Sequence, residues 1–132
     1  MRSLIYPSED KIIENNFLIL QLIKVKKADQ PKVLSYSKIA DIIKECKNEK
    51  GDVYDKAVIL LKEIVRKHPF SSGNRRTAFI TTKEFLLNNN HHFNINDDPS
   101  YAGVMLGIRE DFYSDDELKH WIKNGKIRKF ER

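Results

Sequence analysis

His68-Pro69-Phe70-Ser71-Ser72-Gly73-Asn74-Arg75-Arg76-Thr77-Ala78 reads as the end of one helix, a four-residue loop and the start of the next. The helical pattern running up to Lys67 stops at His68, because Pro69 pushes the residue before it out of the helical region. Ser71, Ser72 and Gly73 are residues that cap or bend a chain. The helix that begins near Asn74 therefore aims its unpaired N–H groups and the positive end of its dipole into the corner beside His68, where an anion such as phosphate is favoured. Arg75 and Arg76 add two positive charges, and guanidinium forks suit phosphate oxygens. The same spacing also fits a plain helix-turn-helix, with Ser72 as an ordinary N-cap and the arginines in solvent.

Outward from this loop the chain is helical. Before it, Val53, Tyr54, Ala57, Val58, Leu60, Leu61, Ile64 and Val65 recur at three- and four-residue intervals, the clearest helical stripe in the sequence. Asp52 is its expected cap, and burial of the stripe fixes His68. After the loop, Ala78, Phe79, Thr82, Phe85 and Leu86 form the inner face of a helix reaching about Asn89. Upstream, Ile12, Ile13, Phe17, Leu20 and Ile23 mark a helix from Asp10 to about Lys24, and Leu18, Ile19 and Leu22 fill most of its other face, so it is expected to be largely buried. Lys26 to Leu34 is polar and contains Pro31, which suits a loop or short hairpin. Tyr36 to Lys47 is a further helix, with Ser35 or Ser37 as cap and Ile39, Ala40, Ile42 and Ile43 turned inward. Downstream, Tyr101, Val104, Met105 and Ile108 predict another helix. Ser114-Asp115-Asp116-Glu117 has the form of a capping box and opens the last helix, bearing Leu118, Trp121 and Ile122 and ending at Gly125.

At 132 residues the chain is expected to be one domain spanning residues 1–132. No apolar run reaches the roughly 20 residues of a membrane span, and the first residues lack the apolar core of a signal peptide, so a cytoplasmic protein without a membrane partner is expected. The single Cys46 allows no internal disulfide and falls on the apolar side of its helix as a core filler. The net charge of +5 comes from scattered basic residues, apart from Lys24, Lys26 and Lys27 and a tail of Lys126, Arg128, Lys129 and Arg132. No nucleic-acid-binding motif accompanies them, and a nucleic-acid partner is not expected. His91 and His92 are adjacent, which is not the helical spacing of most metal sites.

The stretch resembles the signature of the Fic/Doc family, His-x-Phe-x-(Asp/Glu)-(Gly/Ala)-Asn-(Gly/Lys)-Arg, through His68, Phe70, Gly73, Asn74 and Arg76. Thr77-Ala78 is similar to the continuation in the Doc (death-on-curing) branch, and weaker likeness extends over about the middle third of the chain. The resemblance implies an all-α, Fic/Doc-like bundle of about six helices, with room for a small β-hairpin flap near Val33-Leu34. It implies a transferase that moves a phosphoryl or AMP group from ATP to a hydroxyl (Ser, Thr or Tyr) of a target protein. His68 would be the catalytic base, since imidazole titrates near neutral pH. Ser71, Ser72, Gly73, Asn74, Arg75 and Arg76 would bind the phosphates or nucleotide, and Phe70 would shape the loop.

Two positions depart from the pattern. Ser72 stands where the family carries an acidic residue that holds magnesium, which leaves the metal open and allows a degenerate member that only binds nucleotide or a partner. Phe79 stands where longer Fic enzymes carry a second arginine, which brings the chain nearer Doc and γ-phosphoryl transfer, and allows a toxin of a pair with an antitoxin covering the cleft. Glu14-Asn15 is faintly similar to the end of inhibitory helices. Asp10 replaces their hydroxyl residue, however, and self-inhibition is not expected.

Overall fold

The computed structural model describes residues 3–23 and 31–131. Lys24, Lys26, Lys27, Arg132 and most of the polar stretch before Val33 lie outside these residues.

The described residues form six helices: α1 (Glu9–Ile23), α2 (Tyr36–Asn48), α3 (Val53–Lys67), α4 (Asn74–Asn88), α5 (Tyr101–Arg109) and α6 (Asp115–Asn124). The architecture is all-α, as the apolar periodicity requires. The stripe on α3 is buried along its whole length, and α3 packs against α2, α4, α5 and α6. All five inner residues foreseen for α4 are buried, and so are the four foreseen for α5 and the three for α6. Apart from Thr82, these side chains join one apolar cluster that also takes in Cys46 and Phe70. Burial pushes the Cys46 thiol up to about 12, as befits a core filler.

Local signals set the helix ends. Asp52 accepts from the Tyr54 and Asp55 amides, and Asp55 answers with a bond from the Asp52 amide, closing a capping box. Ser114 and Glu117 form another on α6, and Gly125 ends that helix in the left-handed region. Ser35 caps α2 through the Lys38 amide. The other end of α2 is closed by an unforeseen device. The Lys56 ammonium is buried and donates to the carbonyls of Cys46, Lys47 and Glu49, the groups that a helix end leaves unpaired.

The first helix departs from expectation. Ile12, Ile19 and Leu20 are buried, but Phe17 and Leu18 are about half exposed, at 48% and 46%, and Leu22 is 84% exposed. α1 packs against α4 and α2, so among the described residues only one of its faces has a partner. Two buried asparagines fasten it. Asn15 donates to Thr81 and Glu84, and Asn16 to Thr77 and to the Ser72 carbonyl. Glu14 faces outward and pairs with Lys11 at 3.9 Å.

The possible hairpin is represented by a single antiparallel bridge between Val33 and Phe70, with no strand among the described residues. Leu34 N donates to Pro69 O at 2.7 Å, and Ser71 N to Lys32 O at 3.0 Å. Extended chain at 32–34 is thereby tied to the loop between α3 and α4.

Candidate functional site

Lys67 is the last residue of α3, and His68 occupies its C-cap with φ 52° and ψ 59°, a left-handed conformation uncommon outside glycine. Lys38 from α2 donates to the Lys67 carbonyl at 2.9 Å, filling one acceptor at this helix end. The chain then turns through the buried Pro69 and Phe70. Phe70 is fully buried beneath the loop.

Gly73 is the N-cap of α4, with φ 77°. A side chain here would meet Asn16 Nδ2 and Leu20 Cδ2 at 3.2 Å, besides the strain of a positive φ. No serine caps this helix; α4 has no side-chain cap, and its first helical bond runs from Thr77 N to Gly73 O. The amides of the first turn are therefore left for another acceptor. Ser72 gives its carbonyl to Asn16 and faces the cleft.

Asn74 braces the turn. Its Oδ1 accepts from Phe70 N at 3.0 Å, and its Nδ2 donates to Phe70 O at 2.9 Å and to His68 Nδ1 at 3.1 Å. Both amide protons are thus committed within the protein, so any phosphate contact of this residue falls to its backbone N–H. The Phe70 bonds also fix the amide's orientation, since the reverse would set donor against donor and acceptor against acceptor. It follows that His68 Nδ1 is an acceptor and that the neutral ring carries its proton on Nε2.

His68 is exposed at the cleft, and its pKa lies below the ordinary 6.5. Partial burial is the main cause, followed by the positive charges of Arg109, Lys38 and Arg75, all of which disfavour the imidazolium. The ring is therefore neutral at pH 7.

The sequence-predicted residues His68, Ser71, Ser72, Gly73, Asn74, Arg75 and Arg76 line one cleft of about 350 Å³. Arg76 is steered from the far side. Its Nη1 donates to Tyr101 Oη at 2.8 Å and Asp97 Oδ1 at 3.3 Å, while its buried Nε has no partner among the described residues. Phe79, fully inside the core, stacks on Tyr101 with ring centroids 4.9 Å apart and so supports that arrangement. Sequence reasoning missed Arg109, which α5 brings to the same cleft. It lies far from the loop in the chain, and only the folding of α5 onto α3 places it there.

A second cleft of about 720 Å³, bordered by Tyr101, Trp121, Ile127 and Phe130, is larger. It lacks the combination of imidazole, uncapped helix amides and clustered guanidiniums, and polar groups that converge mark a site better than size does.

Magnesium does not fit the smaller cleft. Among the described residues no carboxylate lines it, Ser72 is neutral, and three guanidiniums oppose a cation. Among the described residues no group of His, Cys, Asp and Glu could hold a metal ion. His91 packs its ring edge-on to Tyr54, and His92 gives its carbonyl to the Tyr54 hydroxyl.

Among the described residues the fold is all-helical, with an imidazole, uncapped helix amides and guanidiniums meeting at the corner between two core helices. The model of the Fic/DOC family matches residues 24–86, a segment that holds α2, α3, the entire loop and most of α4. No curated protein and no solved structure gives a significant match. Among the described residues no helix is long and apolar enough to cross a membrane.

Proposed function

We infer that this chain is a Doc-like transferase that moves a phosphoryl or AMP group from ATP to a hydroxyl of a target protein. The observation that carries the reading is the meeting, in one cleft, of a neutral imidazole, an uncapped helix N-terminus and clustered arginines, the parts a phosphate-transfer site requires.

In γ-phosphoryl transfer the target oxygen forms a bond to the γ-phosphorus as the bond to the departing ADP breaks. The hydroxyl proton passes to His68. The lone pair of the neutral ring is on Nδ1, facing Asn74, so proton acceptance exchanges that hydrogen bond for one to the hydroxyl. The α4 amides and Arg76 stabilise the charge on the transferred group. Burial of Phe79 favours the γ-phosphoryl outcome, because the place of a second phosphate-gripping arginine is taken by a core side chain. Val33 and Leu34, tied to the loop, would align a target peptide, and a protein partner seated over the cleft would act as an antitoxin.

That no carboxylate lines the cleft among the described residues favours a second reading, a family member that binds nucleotide without chemistry. Incubation with cell extract and α- or γ-labelled ATP separates the two. The transferase reading expects label from γ-labelled ATP on a protein, lost in His68→Ala. ATP-dependent thermal stabilisation with no label under any condition supports the binding-only reading.

A further inference from the structure

Arg109 is the last residue of α5 and lies outside the segment matched by the family model, yet it lines the cleft. Among the charges acting on the His68 ring it is the leading one. With Arg75 and Arg76 it sets three guanidiniums around about 350 Å³, and among the described residues no aspartate or glutamate lines that space. The acid bonded to Arg76, Asp97, stands outside that lining. Of the three arginines, only Arg76 is ion-paired among the described residues.

A divalent cation seeks anionic oxygen ligands, and these charges repel it at short range. A polyphosphate has the opposite requirement. It brings several negative charges and many acceptor oxygens, which guanidinium forks and helix amides satisfy together.

We propose that Arg109 is a phosphate-binding residue and that the cleft takes ATP as the metal-free anion, three guanidiniums supplying the neutralisation that a divalent cation would otherwise supply. This rests on the cleft being the phosphate site of a nucleotide, and adds to that reading a residue and the ionic state of the ligand.

The test is calorimetric titration of the whole chain with ATP and, separately, with tripolyphosphate, each in EDTA and in magnesium. Wild type is expected to bind both ligands in EDTA at least as tightly as in magnesium. Arg109→Ala should weaken both ligands in EDTA by about tenfold, the loss of one charge-assisted contact. Arg109→Lys should fall between, keeping the charge and losing the fork. Ser72→Asp should weaken binding in EDTA and make magnesium strengthen it. An unchanged melting temperature for Arg109→Ala, an exposed side chain, shows that the loss is local. Binding that requires magnesium, an Arg109→Ala titration matching wild type, or no binding of either ligand in EDTA overturns the proposal. The transfer assay reports separately. Label transfer with magnesium-dependent binding leaves the transferase reading and removes this one, whereas metal-free binding without transfer does the reverse.

Discussion

Asn74 and His68 show how one buried amide sets the chemistry of an exposed ring. Asn74 is 4% exposed, and the two Phe70 bonds hold its Nδ2 toward His68. In the resting protein at pH 7, ¹⁵N spectra should show the His68 ring with Nε2 protonated and Nδ1 bare; the opposite tautomer would refute the bracing geometry. Because the pKa of His68 is lowered, the neutral, proton-accepting form persists below pH 6.5 and is lost only as pH falls through the folded value. The acid limb of kcat/KM is therefore expected below 6.5. Arg109→Met, which removes the leading charge, should move that limb upward toward 6.5, and a limb that stays in place would show that Arg109 does not act on the ring.

Among the elements, α3 and α4 were the most legible in sequence. Their stripes, the stop at Pro69 and the Asp52 cap are local signals, and local signals survive folding. The position of Phe79 carries a consequence for function. It lies in the core between Tyr101 and Phe93, on the side of α4 turned away from solvent. Phe79→Arg is therefore expected to place an uncompensated charge in the interior and lower stability by several kcal/mol, with no gain of a second phosphate grip. A variant that melts like wild type and binds ATP more tightly would contradict this placement. What α4 could not reveal by itself is that Arg76 is held by Tyr101 of α5, since that bond depends on how two helices meet.

Over the whole molecule, the hardest features to read were those decided by which face finds a partner. The composition of α1 suggests burial all round, but among the described residues the helix packs on one side only, leaving Phe17, Leu18 and Leu22 exposed. Asn16, unremarkable in the sequence, anchors the loop by donating to the Ser72 carbonyl. Arg109 was invisible for a similar reason, being a lone arginine at a helix end until α5 folds against α3. The motif residues come together in one cleft because they are contiguous in the chain.

Docking of phosphates at the corner between α3 and α4 is open to amide-resolved NMR during an ATP titration. The largest shifts are expected at the amides of Gly73, Asn74, Arg75 and Arg76, accompanied by the His68 ring and the Arg109 side chain. Shifts centred instead on Trp121, Ile127 and Phe130 around the larger cleft, with the 73–76 amides unmoved, would contradict it.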